Sequence, residues 1–156
     1  MKDWRGGLWR ALIRSVRRRA AGEVGPKAGA GRRRSIGEAQ FHELVDEAVD
    51  SLPEEFARHL ENVQVVVEDA PSPEQLRATG RRPRETLLGL YVGVPLTQRS
   101  VFDGYALPDR IFIFREPILA HCRTPDAVRA QVRRTVLHEI AHHFGIPDER
   151  LRELGY

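Results

Sequence analysis

The 156-residue sequence predicts an α+β domain carrying a basic N-terminal tail. Three observations predict it. Apolar residues recur at helical spacing near residue 40 and again after residue 124. Between those stretches lie three short apolar runs of strand length. Charge also divides the chain: residues 1–34 hold 11 Lys/Arg and 2 Asp/Glu, a net of +9, whereas residues 35–156 hold 14 and 20, a net of −6. An apolar share of 41% suits a globular protein and argues against wholesale disorder. No run approaches the roughly 18 apolar residues of a membrane-spanning helix. The single cysteine, Cys122, excludes an internal disulfide framework and fits a reducing, cytoplasmic compartment.

In the tail, Arg17-Arg18-Arg19 and Arg32-Arg33-Arg34 flank a Gly/Ala/Pro stretch without apolar periodicity, which reads as a flexible linker. Before it, Trp4, Leu8, Leu12 and Val16 recur every four residues, with Arg10 and Arg14 mostly off that line. The same arginines break the apolar core a secretory signal requires. The tail reads first as a solvated basic segment. Weak, salt-sensitive attachment to nucleic acid or an anionic membrane is the second expectation, and a protein that truly begins near Ser35 is the third.

Order is expected from Ser35, where Ser35-Ile36-Gly37-Glu38 has the form of a capping box. Phe41, Leu44, Val45, Ala48 and Val49 follow at helical spacing, with Asp46, Glu47 and Asp50 on the other face. Pro53 can open a short helix reaching about Leu60. Val63, Val65 and Val67 alternate with their neighbours, giving a strand near 62–69. Residues 70–84, rich in Pro, Glu and Arg, read as a surface loop. A second strand is expected from Thr86 to Val92, then a loop from Pro95 to Pro108. Residues 110–115 form a third strand, whose apolar centre predicts burial on both sides. Thr124-Pro125-Asp126 combines an N-cap, a first-turn proline and an acid at the positive dipole end. The helix it opens should reach about Phe144 and stop at Gly145.

Residues 138–148 read His-Glu-Ile-Ala-His-His-Phe-Gly-Ile-Pro-Asp. On a helix, His138 and His142 lie about 40° apart and about 6 Å along the axis, so two imidazoles can converge on one ion. Glu139 is rotated about 60° from His142, away from His138, and can reach a water beside the ion. Hydrolysis needs that arrangement: an ion that acidifies water and polarises a carbonyl, and a carboxylate that takes the proton. A catalytic zinc usually has three protein ligands. Gly145 permits a turn, Pro147 stiffens the returning segment, and Asp148 just beyond is the chosen third ligand; Glu149 and Glu153 are the alternatives. His143 is rotated about 100° from His142 and reads as a packed or hydrogen-bonded histidine.

A chance origin for this pattern is remote. With 6 His and 14 Glu available, a random His-Glu-x-x-His is expected about 0.02 times, and the downstream Gly and acid lower that to the order of 10⁻⁴. Val132, Thr135, His138, Glu139 and His142 also fall within about 80° of Val128 on a helical wheel, while Leu137, Ala141 and Phe144 line the opposite side. Such a helix is buried, and its polar stripe needs a partner, most economically a metal.

The stretch 138–156 resembles the small bacterial zincin-like metallopeptidase family. Residues 88–96, 107–111 and 51–56 are similar to that family too, so the resemblance spans about 35–156. It implies a minimal zincin-like α+β domain, with a small sheet packed against an N-terminal helix and the C-terminal His-Glu-x-x-His helix. It also implies one zinc ion held by His138, His142 and Asp148, and Glu139 as general base. The motif is similar to the long metzincin pattern with Asp replacing the third His. Met1 is the only methionine, so no Met-turn is expected; eight residues follow Asp148, so substrate binding is expected from upstream strands and loops.

The function expected is zinc-dependent peptidase or related amide hydrolase, acting on a peptide or protein paired with a strand edge. The alternative is a metal-stabilised domain that binds peptides or a partner without turnover. Tyr91, Tyr105, His121 and Tyr156 are candidate donors to the oxyanion. No oligomerisation signal stands out, and a monomer is the default.

Overall fold

A computed structural model describes residues 36–80, 86–99 and 108–153. The basic tail, Ser35, Tyr105 and Tyr156 lie outside those residues. The described residues form a small three-stranded sheet with helices on both faces, the α+β architecture expected. Helix α1 (Glu38–Asp50) buries Phe41, Leu44, Val45 and Ala48, as the periodicity requires. It starts two residues later than a capping box at Ser35 would place it. Its N-cap is Gly37, which has no side chain to offer, and the first turn closes through Phe41 N–H to the Gly37 carbonyl. Helix α2 (Glu54–Ala57) is a single turn that tightens into i→i+3 bonds through Leu60.

Strands β1 (Val63–Glu68), β2 (Gly89–Val92) and β3 (Asp109–Phe114) assemble in the order β1-β3-β2. β1 runs parallel to β3, pairing Val63 with Asp109, and β2 runs antiparallel, pairing Gly89 with Ile113. β3 is therefore central, which explains its apolar middle. Ile111 and Ile113 join the main core with α1 and the last long helix. Phe112 and Phe114 point the other way, into a second cluster with Leu87.

That second face has a cover the composition concealed. Within the segment read as a loop, residues Pro73–Ala78 form helix α3. Its start is a true capping box: Gln75 N–H donates to Ser72 Oγ (3.2 Å) and Ser72 N–H to Gln75 Oε1 (2.6 Å), with Pro73 in the first turn. Leu76 packs on the second cluster. A short 3₁₀ turn, Leu96–Gln98, follows β2. Helix α4 (Arg115–His121) continues directly from β3, its Pro117 tolerated in the first turn and its Ile118 fully buried.

Helix α5 (Pro125–His143) bears the metal motif. Thr124 Oγ1 accepts from Ala127 N–H at 3.2 Å, and Pro125 follows, as expected. Phe144 is the C-cap, Gly145 has φ +74°, Gly145 N–H donates to the His142 carbonyl (2.9 Å), and Ile146 N–H to the Ala141 carbonyl (2.9 Å). These two bonds define a Schellman stop. Pro147 then leads into a short helix, α6 (Asp148–Glu153), held by the fully buried Leu151. No helix among the described residues is long and apolar enough to cross a membrane.

Gly145 is constrained twice, by its left-handed backbone and by Thr97, whose side chain occupies the space a Cβ would need. Gly145→Ala is expected to lower stability by about 1–2 kcal/mol from the backbone alone, and further from the collision. An unchanged urea midpoint for this variant would refute the constraint.

Candidate metal centre

The last turn of α5 and the first residue of α6 bring three side chains together. Asp148 Oδ1 lies 3.0 Å from His138 Nε2 and 3.1 Å from His142 Nε2. The imidazole planes stand at 84° with centroids 4.8 Å apart, and one ligand atom from each of the three residues falls within 4.8 Å of the others. A tetrahedral zinc with bonds of about 2.0–2.2 Å keeps its ligand atoms roughly 3.3–3.5 Å apart. The donor set, two imidazoles and a carboxylate, fits such an ion with little adjustment. The carboxylate that reaches the histidines is that of Asp148. Glu149 is exposed and outside the cluster, and Glu153 is ion-paired to Arg150.

The Schellman turn does more than deliver Asp148. His142 Nδ1 lies 3.0 Å from the Ile146 carbonyl, which can only accept. Nδ1 is therefore the nitrogen that donates to that carbonyl, and Nε2 is the nitrogen turned to Asp148.

Glu139 is 6% exposed, on the neighbouring face of α5, and outside the three-residue cluster. Its Oε2 accepts the Tyr91 N–H of β2 at 2.9 Å. Close approach of strand and helix permits this. A Cβ on Gly89 would come within 2.7 Å of Thr135 Cγ2 and 2.9 Å of Glu139 Cγ. Neither Gly89 nor the Tyr91 amide was a candidate in the sequence. The available signal was a glycine inside a strand, which often marks a close backbone approach.

His143 is buried at 1% exposure and belongs to a different network. Nδ1 is 2.9 Å from Asp109 Oδ2, and Nε2 faces the His59 carbonyl at 3.1 Å. Asp109, itself buried, also accepts from the Tyr91 hydroxyl (2.8 Å) and pairs with Arg99. Burial pushes the His143 pKa below the ordinary histidine value, while the His59 carbonyl and Asp109 oppose that shift. Burial, reinforced by the Asp109 carboxylate, pushes the Tyr91 phenol well above its usual value, so the hydroxyl stays protonated and donates to Asp109. The Tyr91 hydroxyl, one of the candidate oxyanion donors, is thereby engaged by Asp109. His121, another of those candidates, lies exposed in the last turn of α4.

Residues 60–156 match the zincin-like metallopeptidase family. The chain belongs to that family. A conserved hypothetical protein from T. thermophilus, of known structure, is 29% identical, with a TM-score of 0.49, over 76% of this chain and 99% of that one. No curated protein matches. In this zincin-like metallopeptidase domain the family match includes the whole of α5 and α6, and it leaves out α1.

The Asp109 network joins β2, β3, α5 and the segment holding Arg99. Asp109→Ala is expected to cost about 3 kcal/mol, because it strands buried partners. Tyr91→Phe removes a single hydroxyl and is expected to cost about 1 kcal/mol. Equal denaturant midpoints for these two variants would contradict the ranking.

Proposed function

We propose that the domain is a zinc-dependent peptidase, with residues 35–156 as the hydrolytic unit and 1–34 as a basic appendage. The observation that carries this reading is the approach of Asp148 Oδ1 to both Nε2 atoms, beside a buried Glu139. On this reading His138, His142 and Asp148 hold one zinc ion. When bound, that ion lowers the pKa of a water molecule and polarises the scissile carbonyl.

The protein's own groups do the rest. Glu139 takes a proton from the attacking water as its oxygen bonds to the carbonyl carbon, then passes that proton to the leaving nitrogen as the C–N bond breaks. The Tyr91 N–H holds Oε2, which helps to fix the carboxylate plane. Gly89 keeps the strand backbone against Glu139, so the carboxylate has little freedom to swing away. Among the described residues β2 is an edge strand, and the outer backbone groups that Glu139 does not engage are available to an extended peptide.

Purified full-length protein is expected to carry one zinc per chain, and Asp148→Ala to lose most of it. Chelation should lower the melting temperature of the wild type; zinc at 100 times its dissociation constant contributes about 2.7 kcal/mol. Glu139→Gln should retain the metal and lose peptide hydrolysis by about 10²–10⁴-fold. If the wild type and Glu139→Gln behaved alike towards a peptide panel, the peptidase reading would give way to a binding domain. If Asp148→Ala kept its zinc, the ligand assignment would fall.

A further inference from the structure

The Asp109 network reaches the metal centre through one residue, Tyr91. Bonded rungs alternate along an antiparallel pair. Phe114 N–H donates to the Leu88 carbonyl at 2.9 Å, so Leu90 and Val92 are the β2 residues turned to β3, in register with Phe112 and Arg110. Gly89 and Tyr91 turn their backbone groups outward. The Tyr91 N–H at this edge has the Glu139 carboxylate, not a strand, as its acceptor. The side chain of the same residue leaves towards α5. Its ring stands edge-on to the His143 imidazole, with centroids 5.7 Å apart, and its hydroxyl lies 2.8 Å from Asp109 Oδ2. Glu139 and His143 are four residues apart and share a face of α5. Tyr91 is therefore braced against that helix at two points one turn apart, by its amide at Glu139 and by its ring and hydroxyl at His143 and Asp109.

We propose that Asp109 is a positioning residue for the proton transfer: by anchoring the Tyr91 hydroxyl it sets the height of the residue-91 backbone over α5, and with it the place of the Glu139 carboxylate. This deepens the peptidase reading and rests on it. One oxygen of Asp109, Oδ2, accepts from the Tyr91 hydroxyl and from Arg99 Nη2 and faces His143 Nδ1 at 2.9 Å. Bonds to an ionised oxygen are stronger than neutral ones, so the anchor is firm. Arg99 Nε donates to the Val94 carbonyl at 3.0 Å, which closes the loop after β2 beside the same carboxylate. Gly93 leaves the space required. A Cβ there would collide with the Asp109 carboxylate and come within 2.8 Å of the Tyr91 hydroxyl oxygen. β2 is only four residues long and its last rung pairs Val92 with Arg110, so this network holds the strand just where it meets Glu139. A catalytic group misplaced by about 1 Å can cost on the order of 10²-fold in rate. Asp109 lies outside the metal cluster and acts on the carboxylate through Tyr91.

Hydrogen exchange at the residue-91 amide reads this contact without turnover. In the zinc-loaded, full-length wild type that N–H should exchange slowly although it belongs to an edge, and Glu139→Ala should bring it close to the rate of an unstructured chain. Tyr91→Phe should speed its exchange about tenfold. Leu76→Ala, in the second cluster, lowers global stability without touching the network and should leave this amide within twofold of the wild type. Against the peptide of the panel that the wild type cleaves fastest, Tyr91→Phe should lower kcat about tenfold with KM within twofold, and Leu76→Ala should change neither. Asp109→Asn keeps the shape of the side chain and weakens the acceptor. Combined with Tyr91→Phe it should cost little further kcat, because the two groups act as one unit. Unchanged exchange at residue 91 in Tyr91→Phe, a loss of kcat shared by Leu76→Ala, or additive losses in the double variant would overturn the proposal. So would a tenfold rise in KM at unchanged kcat, which would assign Tyr91 to substrate binding. If the wild type cleaves no peptide, the peptidase reading falls separately, and the exchange rates still decide whether Asp109 holds Glu139 in place.

Discussion

The left-handed glycine at 145 is the constraint on which the rest of the site depends. An α-helix that simply ran on would carry its next residues away from His138 and His142. The Schellman stop instead reverses the chain within four residues, through the bonds from Gly145 and Ile146 back to the His142 and Ala141 carbonyls. Ile146 is buried by that reversal, and its own carbonyl is turned to face His142 Nδ1. One turn of backbone thereby delivers the acidic side chain, engages Nδ1 of a histidine and adds to the core. Thr97, packed into the space above Gly145, couples this turn to the segment after β2.

Helix α5 carries three tasks. Val128, Val132, Val136 and Ile140 bury against α1 and the sheet. His138 and His142 stay a quarter exposed, at 28% and 26%, which leaves them accessible to an ion and to water. Glu139 lies between these extremes, in contact with the edge strand. An ionised carboxylate so buried is costly unless it is hydrogen-bonded. The Tyr91 amide meets that need with a group that an edge strand would otherwise show to solvent. On the far side, His143 and Tyr91 both converge on Asp109, so the strand that holds Glu139 is itself tied to the helix that carries it. Rigidity at the carboxylate follows from two bonds to the same residue, one through its backbone and one through its hydroxyl.

Local chemistry was legible in the sequence, and long-range chemistry was not. The ends of α5 could be read because Thr124, Pro125 and Gly145 act on their own neighbours. Burial of β3 on both sides followed from four consecutive apolar residues, Ile111 to Phe114. Helix α3 carried an equally local signal at Ser72, Pro73 and Gln75, but the polar composition of residues 70–84 as a whole masked it. The similar pattern at Ser35 stands out more plainly, although the helix there is capped at Gly37. Helix α4 begins where β3 ends, so there was no turn residue to mark it. His143 could be set aside as a ligand from its rotation alone. Its actual partners, Asp109 and the His59 carbonyl, lie 34 and 84 residues away in sequence, and no spacing rule connects them.

The choice among Asp148, Glu149 and Glu153 turns on a hydrophobic anchor rather than on the acids themselves. Helix α6 has only six residues and no periodic face of its own. Leu151 is fully buried in the main core and fixes which side of α6 looks inward. A residue three positions earlier lies about 60° from Leu151 on the helix, so Asp148 sits at the inner edge, facing α5. Glu149 is about 160° from Leu151 and points to solvent, in agreement with its exposure. Glu153 is about 160° from Leu151 in the other sense, and Arg150 engages it there. The packing of one leucine therefore selects which of three nearby carboxylates meets the histidines. A downstream acid in such a motif can be judged by the apolar residue three places after it.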